Sequence, residues 1–286
     1  MSKKRRFFNQ NTMTRVQVND KVYTVTRMLP SSLLITDPKY HRPLEMHRVK
    51  RIVDKFDPGL VNILKVSHRN GKYYVFDGGH TLAALKIIHE GEAFFLVECK
   101  VYENLTFEEE ARLFAAQTGE SRDVDFMYRL RALAVGKDPE TLEFIQHTEN
   151  AGFKLALGSS TEGSILALKK AKKIYDNYGA DVYEDTLRLI RDTWEGEQQY
   201  LQANILGGVA VFLASFGKEY LPSRFVRKLR TTKAEEIRVE AKHRKNAHQS
   251  LDGAFAQEIA NTYNRGGGKG RINPMKILAM GFEDYV

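Results

Sequence analysis

Cysteine is almost missing from this chain: Cys99 is the only one in 286 residues, so no intrachain disulfide framework can form and a reducing compartment is expected. No apolar run approaches the ~20 residues that a membrane-spanning helix requires. The opening Met1-Ser2-Lys3-Lys4-Arg5-Arg6-Phe7-Phe8 has charge with no apolar stretch behind it, which does not read as a secretory leader. These absences point to a cytoplasmic protein with no membrane role. Zinc-type Cys/His spacing, internal repeats and coiled-coil heptads are absent as well. What is present is a 42% hydrophobic chain, long enough for two domains with real cores. Its net charge of +8 favours a polyanionic partner.

The most informative stretch is residues 72–85, where the apolar run Tyr73-Tyr74-Val75-Phe76 enters Asp77-Gly78-Gly79-His80 and leaves into a helix from Thr81 to His89. Glycines at such a turn admit close backbone approach, and a helix start directs free N–H groups and a positive dipole end toward an anion. Asp77 is a candidate base or metal ligand, and His80 a candidate proton donor or phosphate contact. The alternative is a plain strand-turn-helix whose histidine only packs.

Upstream, Tyr40-His41-Arg42-Pro43 precedes a helical pattern with Leu44, Val49, Ile52, Val53 and Phe56 on one face and His47, Arg48, Lys50, Arg51 and Lys55 mostly on the other, Pro43 suiting its first turn. Two strands around Asn70-Gly71 form a hairpin that delivers the chain to Asp77. Phe94–Tyr102 reads as a buried strand, and Thr106 with Glu109 as a capping box opening a helix through Gln117. Glu108, Glu109 and Glu110 could offer carboxylates to a metal, but acids in a first helical turn ordinarily complement the dipole. Val16–Val25, alternating around Asn19-Asp20, predicts a further small hairpin behind a basic tail.

This order resembles the ParB/sulfiredoxin-like fold, in the branch of ParB-like nuclease domains known from bacteria and their mobile elements. The resemblance covers roughly residues 30–122 and rests on the YHRP segment with its basic helix, the hairpin into FDGGHTLAAL, and the EEEARLFAAQTGESR helix. It implies a nucleotide or phosphate pocket built from Asp77, Gly78, Gly79, His80, Arg42 and Gln117, and Tyr40 of the same YHRP segment is a further candidate contact. Departures narrow it. The run Gly78-Gly79-His80-Thr81 lacks the arginines of CTP-hydrolysing relatives, so phosphate charge falls to Arg42, Arg48 and the dipole end at Thr81. Sulfinic-acid reduction is excluded, because Gly79 stands where sulfiredoxins need cysteine. Glu45, close to Arg42 in sequence, is a reserve general base.

The second half reads as helical: Ile165–Tyr178, Val182–Trp194 and a nearly all-apolar Asn204–Phe216, with Gly179 and Gly217 as stops. Residues 218–276 hold fourteen Lys/Arg against six acids, an excess equal to that of the whole chain. Within them Asn264–Arg271 reads as a flexible basic loop whose Arg265, Lys269 and Arg271 would track a phosphate backbone without reading bases.

The expected architecture is therefore α+β. A tail and hairpin (1–30) lead into a ParB-like domain with a small mixed sheet (31–125), a helical connection (126–163) and an all-α domain (164–286). The expected function is a DNA-associated protein that binds a nucleotide or nucleic-acid phosphate at the D-G-G-H turn, with nonspecific DNA contact by the basic segment and a homodimer through the helical domain. A nucleoside triphosphate with Mg²⁺ or Mn²⁺ is the candidate cofactor. Alternatives are a metal-dependent nuclease or a small-molecule phosphotransferase or NTP hydrolase, with Asp77 as ligand or base, and a non-catalytic module with a decayed pocket.

Overall fold

The computed structural model describes residues 19–90, 92, 94–117, 126–158, 163–246 and 249–280, without the side chains of Gln117 and residues 278–280. The chain folds as two compact units that divide between Asp138 and Pro139. The expected connection 126–163 is thus split between them.

In the first unit, β1 (Tyr23–Pro30), β2 (Leu34–Ile35), β3 (Leu64–Arg69), β4 (Lys72–Asp77) and β5 (Leu96–Glu103) form one sheet in the order β1-β5-β3-β4-β2. β1–β5 and β3–β4 are antiparallel, whereas β3–β5 and β2–β4 are parallel, so the sheet is mixed as expected. β1 pairs with β5 along its whole length, and a domain starting at residue 31 would leave that strand unpaired. The first strand of the hairpin expected at Val16–Val25 lies outside the described residues.

Asn70 and Gly71 both take positive φ, 53° and 71°, which gives the β3–β4 hairpin the twist of a primed turn. Successive β4 side chains face opposite ways and seed two cores. Val75 joins Leu64, Val66, Cys99 and Val101 with Leu82 and Leu85 of α2 (Gly79–Ile88), while Phe76 joins Tyr40 with Ala111, Phe114 and Ala115 of α3 (Phe107–Gln117) and Ala132 of α4 (Phe126–Val135). The capping box at α3 is formed: Glu109 N–H donates to Thr106 Oγ1 at 3.2 Å, and Thr106 N–H to Glu109 Oε2 at 2.9 Å. The basic helix α1 spans Met46–Asp54, with Val49 fully buried. Pro43 is not in its first turn. Glu45 is the N-cap, in the extended conformation usual there, and its amide donates to His80.

The second unit is mostly helical, with α5 (Pro139–Asn150), α6 (Leu168–Trp194), α7 (Ala203–Phe216), α8 (Pro222–Leu229), α9 (Ala234–Arg244), α10 (Leu251–Asn264) and α11 (Met275–Met280). It is not purely α: β6 (Lys154–Leu155) and β7 (Ser164–Ile165) pair in parallel. α6 joins the two expected helices across Gly179, whose φ of 86° breaks the helical path. α7 is the buried centre, and its Gly207 and Gly208 let α10 approach so closely that a Cβ on either would lie within 2.5 Å of Asp252 or Phe255. Trp194, 3% exposed, stacks on Tyr200 with centroids 4.6 Å apart and donates its indole N–H to Leu229 O, so both aromatics are core. No helix among the described residues is long and apolar enough to cross a membrane.

Candidate functional site

β4 runs into α2 through Gly78, an N-cap at φ 93° and ψ 17°, a left-handed conformation in which a side chain is strained. The helix begins at Gly79, two residues before the expected Thr81, because this glycine turn lets Leu82 N–H reach Gly78 O at 2.9 Å. Neither a side-chain cap nor an acid occupies the first turn, which contains His80 and Thr81. The first turn itself thus carries no acid against the N-terminal dipole end, although Asp77 precedes the cap and the Glu45 carboxylate is close enough to act on His80.

Around this turn the YHRP segment supplies cations. Arg42 Nη1 lies 3.9 Å and Arg48 Nε 3.5 Å from the two oxygens of Glu45, and His47 lies 3.7 Å from the same carboxylate. Glu45 N–H donates to His80 Nε2 at 3.1 Å. That bond fixes the tautomer, with the proton on Nδ1. Burial first, then the charges of Arg42 and Arg48, push the His80 pKa down to about 4. The ring is neutral at pH 7 and can donate a hydrogen bond from Nδ1, but the protonated acid expected from the sequence is absent. Arg42 is itself pulled below its ordinary value by burial and by Arg48.

The glycines have internal reasons as well. A Cβ on Gly78 would meet Leu64 Cδ2 at 2.3 Å, and one on Gly79 would meet His41 Cε1 at 2.9 Å. His41, 7% exposed, is tethered by its Nδ1–H to Arg42 O at 3.0 Å and so lies over Gly79. Sequence reasoning missed it. The signal was a glycine facing a histidine from a distant segment, which no local pattern reveals.

Asp77 ends β4 with its carboxylate 3.4 Å from Lys65 Nζ, opposite it across a register shift. Among the described residues no group of three or more His, Cys, Asp or Glu side chains could hold a metal ion, so Asp77 belongs to no such group there. Tyr40 is a correction: fully buried, it donates its hydroxyl to the buried Glu110, and burial and that carboxylate together raise its pKa. Glu110 also accepts from Arg69 Nε at 3.2 Å, and Arg69 reaches Asp37 at 3.4 Å. Tyr40 thus anchors the YHRP segment instead of touching a ligand. The three glutamates disperse, Glu108 to Lys137, Glu109 to its cap and Asn19, Glu110 to this network. Gln117 closes α3, but its side chain lies outside the described set.

In the second unit, Asn264–Arg271 is pinned where flexibility was expected. Arg224 donates to two of its peptide oxygens, on Gly267 and Lys269, and to Tyr263 O just before it, and Asn264 clamps Ile272. Arg265, Lys269 and Arg271 are all exposed, and Arg265 is tied at 3.1 Å to Glu258, which is 2% exposed.

The architecture is thus an α/β unit with a five-stranded mixed sheet, followed by a mostly helical unit. The chain belongs to DUF6551, a family of unknown function whose model matches residues 36–277, a span that includes both glycine-rich segments. No curated protein matches, and no solved structure matches.

Proposed function

We propose that the first unit binds phosphate, on a nucleotide or a nucleic acid, at the N-terminal turn of α2, and that the basic segment of the second unit contacts DNA through its backbone, in the manner of a ParB-like DNA-associated protein. The observation that carries this reading is the uncapped, acid-free start of α2 beside Arg42 and Arg48. Arg42 and Arg48 also act on His80, lowering its pKa after burial, the larger cause. Binding is favoured over turnover. His80 is neutral with its Nε2 engaged, and Asp77 faces Lys65. Mg²⁺ or Mn²⁺ would arrive with a triphosphate and not on a prebuilt protein site.

Titrating the full chain with the four NTPs and a labelled duplex, with and without either metal, tests this. Arg42→Ala or Arg48→Ala should weaken binding at the turn by roughly tenfold or more, the weight of a charge-assisted hydrogen bond. No nucleotide binding, with duplex affinity untouched by both changes, removes the turn from the reading. Turnover that falls ~10²–10⁴-fold in Asp77→Asn and His80→Ala would restore an enzyme.

A further inference from the structure

We propose that Asn264–Arg271 is a preshaped phosphate-binding loop and that Arg224 is its positioning residue, turning peptide oxygens inward and amide hydrogens outward. The inference rests on the reading that the basic segment meets phosphates. Arg224 is 5% exposed. Its Nε donates to Tyr263 O at 3.2 Å, its Nη1 to Lys269 O at 3.1 Å and its Nη2 to Gly267 O at 2.8 Å. The Tyr263 hydroxyl donates to Gly270 O at 2.7 Å.

A trans peptide holds its C=O and the next N–H on opposite sides. With the oxygens of Gly267, Lys269 and Gly270 drawn to Arg224 and Tyr263, the N–H groups of Gly268, Gly270 and Arg271 face the other way. Among the described residues none of the three has an acceptor within the chain. Gly266, Gly267, Gly268 and Gly270 have φ of 79°, 65°, 93° and 81°, which only glycine adopts without strain. Successive amides displayed from such conformations form an anion-binding concavity.

Charge reinforces the shape. Arg224 is met by carbonyl dipoles, with no carboxylate against it among the described residues, so its charge adds to the field beneath the loop. Lys228 Nζ lies 3.0 Å from where a Gly266 Cβ would stand, and Lys269 and Arg271 are exposed on the same loop. An open hollow of about 570 Å³ flanks it, lined by Asn261, Asn264, Arg265 and Arg271. Four glycines carry a large conformational entropy cost on ordering. Three bonds from one buried guanidinium to this main chain are the device that offsets it.

Hydrogen exchange of the full chain, read with a mixed-sequence duplex and separately with inorganic phosphate, tests the site. The duplex should slow exchange at Gly268, Gly270 and Arg271. Arg224→Lys and Gly267→Ala leave the net charge unchanged, yet each should weaken duplex affinity roughly tenfold. If Arg224→Lys does not fold, Gly267→Ala decides, since it adds a methyl group in open space away from the core. Equal duplex binding by wild type and variants, with loop amides unaffected, overturns the loop and leaves the DNA reading standing. Protection by inorganic phosphate without duplex binding keeps the loop and overturns the DNA reading. No duplex binding, with no protection by either ligand, overturns both.

Discussion

Asp77–His80 and Asn264–Arg271 look alike as sequence, each a glycine cluster beside charge, and differ in what stands where the missing Cβ would be. At Gly78 and Gly79 that space belongs to Leu64 and His41. At Gly267 it is empty, and at Gly268 the nearest atom is Arg224 Nη1 at 3.5 Å. The first pair is glycine partly because the protein packs against it. The middle of the second loop is glycine because of backbone conformation alone. A glycine motif therefore argues for a ligand only after the chain's own claims on that space are subtracted.

The sharpest way to break this comparison is to add the methyl group in each place. Gly78→Ala combines left-handed strain with a clash against Leu64 and should cost about 3 kcal/mol in denaturant unfolding. Arg265→Ala should follow at roughly 2 kcal/mol, because it strips a partner from Glu258 and leaves Arg244 Nε at 3.6 Å as the remaining cation. Gly267→Ala, strained but uncrowded, should cost about 1 kcal/mol. Equal losses at Gly78 and Gly267 would erase the distinction between packed and displayed glycines.

Salt dependence sharpens the DNA side. Because Arg265 is held by Glu258, the triple change Arg265→Ala/Lys269→Ala/Arg271→Ala should shallow the slope of log affinity against log salt by the value for two contacts, about 0.9 each, instead of three. The pH-dependent effect is at His80. Its folded pKa, about 4, lies below its ordinary 6.5, so as pH falls through 6.5 the unfolded chain gains a proton that the folded chain refuses. Stability from this group is complete above pH 6.5 and declines between 6.5 and 4. An anion at the turn should raise the His80 pKa, visible by NMR titration; an unchanged pKa under saturating duplex or nucleotide places the anion elsewhere.

Local signals were legible in the sequence and distant ones were not. The Asn70-Gly71 hairpin, the Thr106–Glu109 box, the stop at Gly217 and the buried α7 each depend on neighbours within a few residues. Pro43 misled because α1 starts later, at the N-cap Glu45, whose amide meets His80, 35 residues away. Tyr40 misled because its hydroxyl meets Glu110, 70 residues away. The loop at Asn264 read as flexible because glycine content is visible while Arg224, some forty residues earlier, is not visibly its partner. These readings went by residue type and missed the distant partner.

The single tryptophan has a practical consequence. Trp194 is in the second unit, stacked on Tyr200 with its indole bonded to Leu229, the last residue of the helix that carries Arg224. Tryptophan emission, excited beyond the tyrosine band, therefore reports on the surroundings of Trp194 in the helical unit, while circular dichroism follows both units, and the gap between the two melting curves measures how far the units unfold independently.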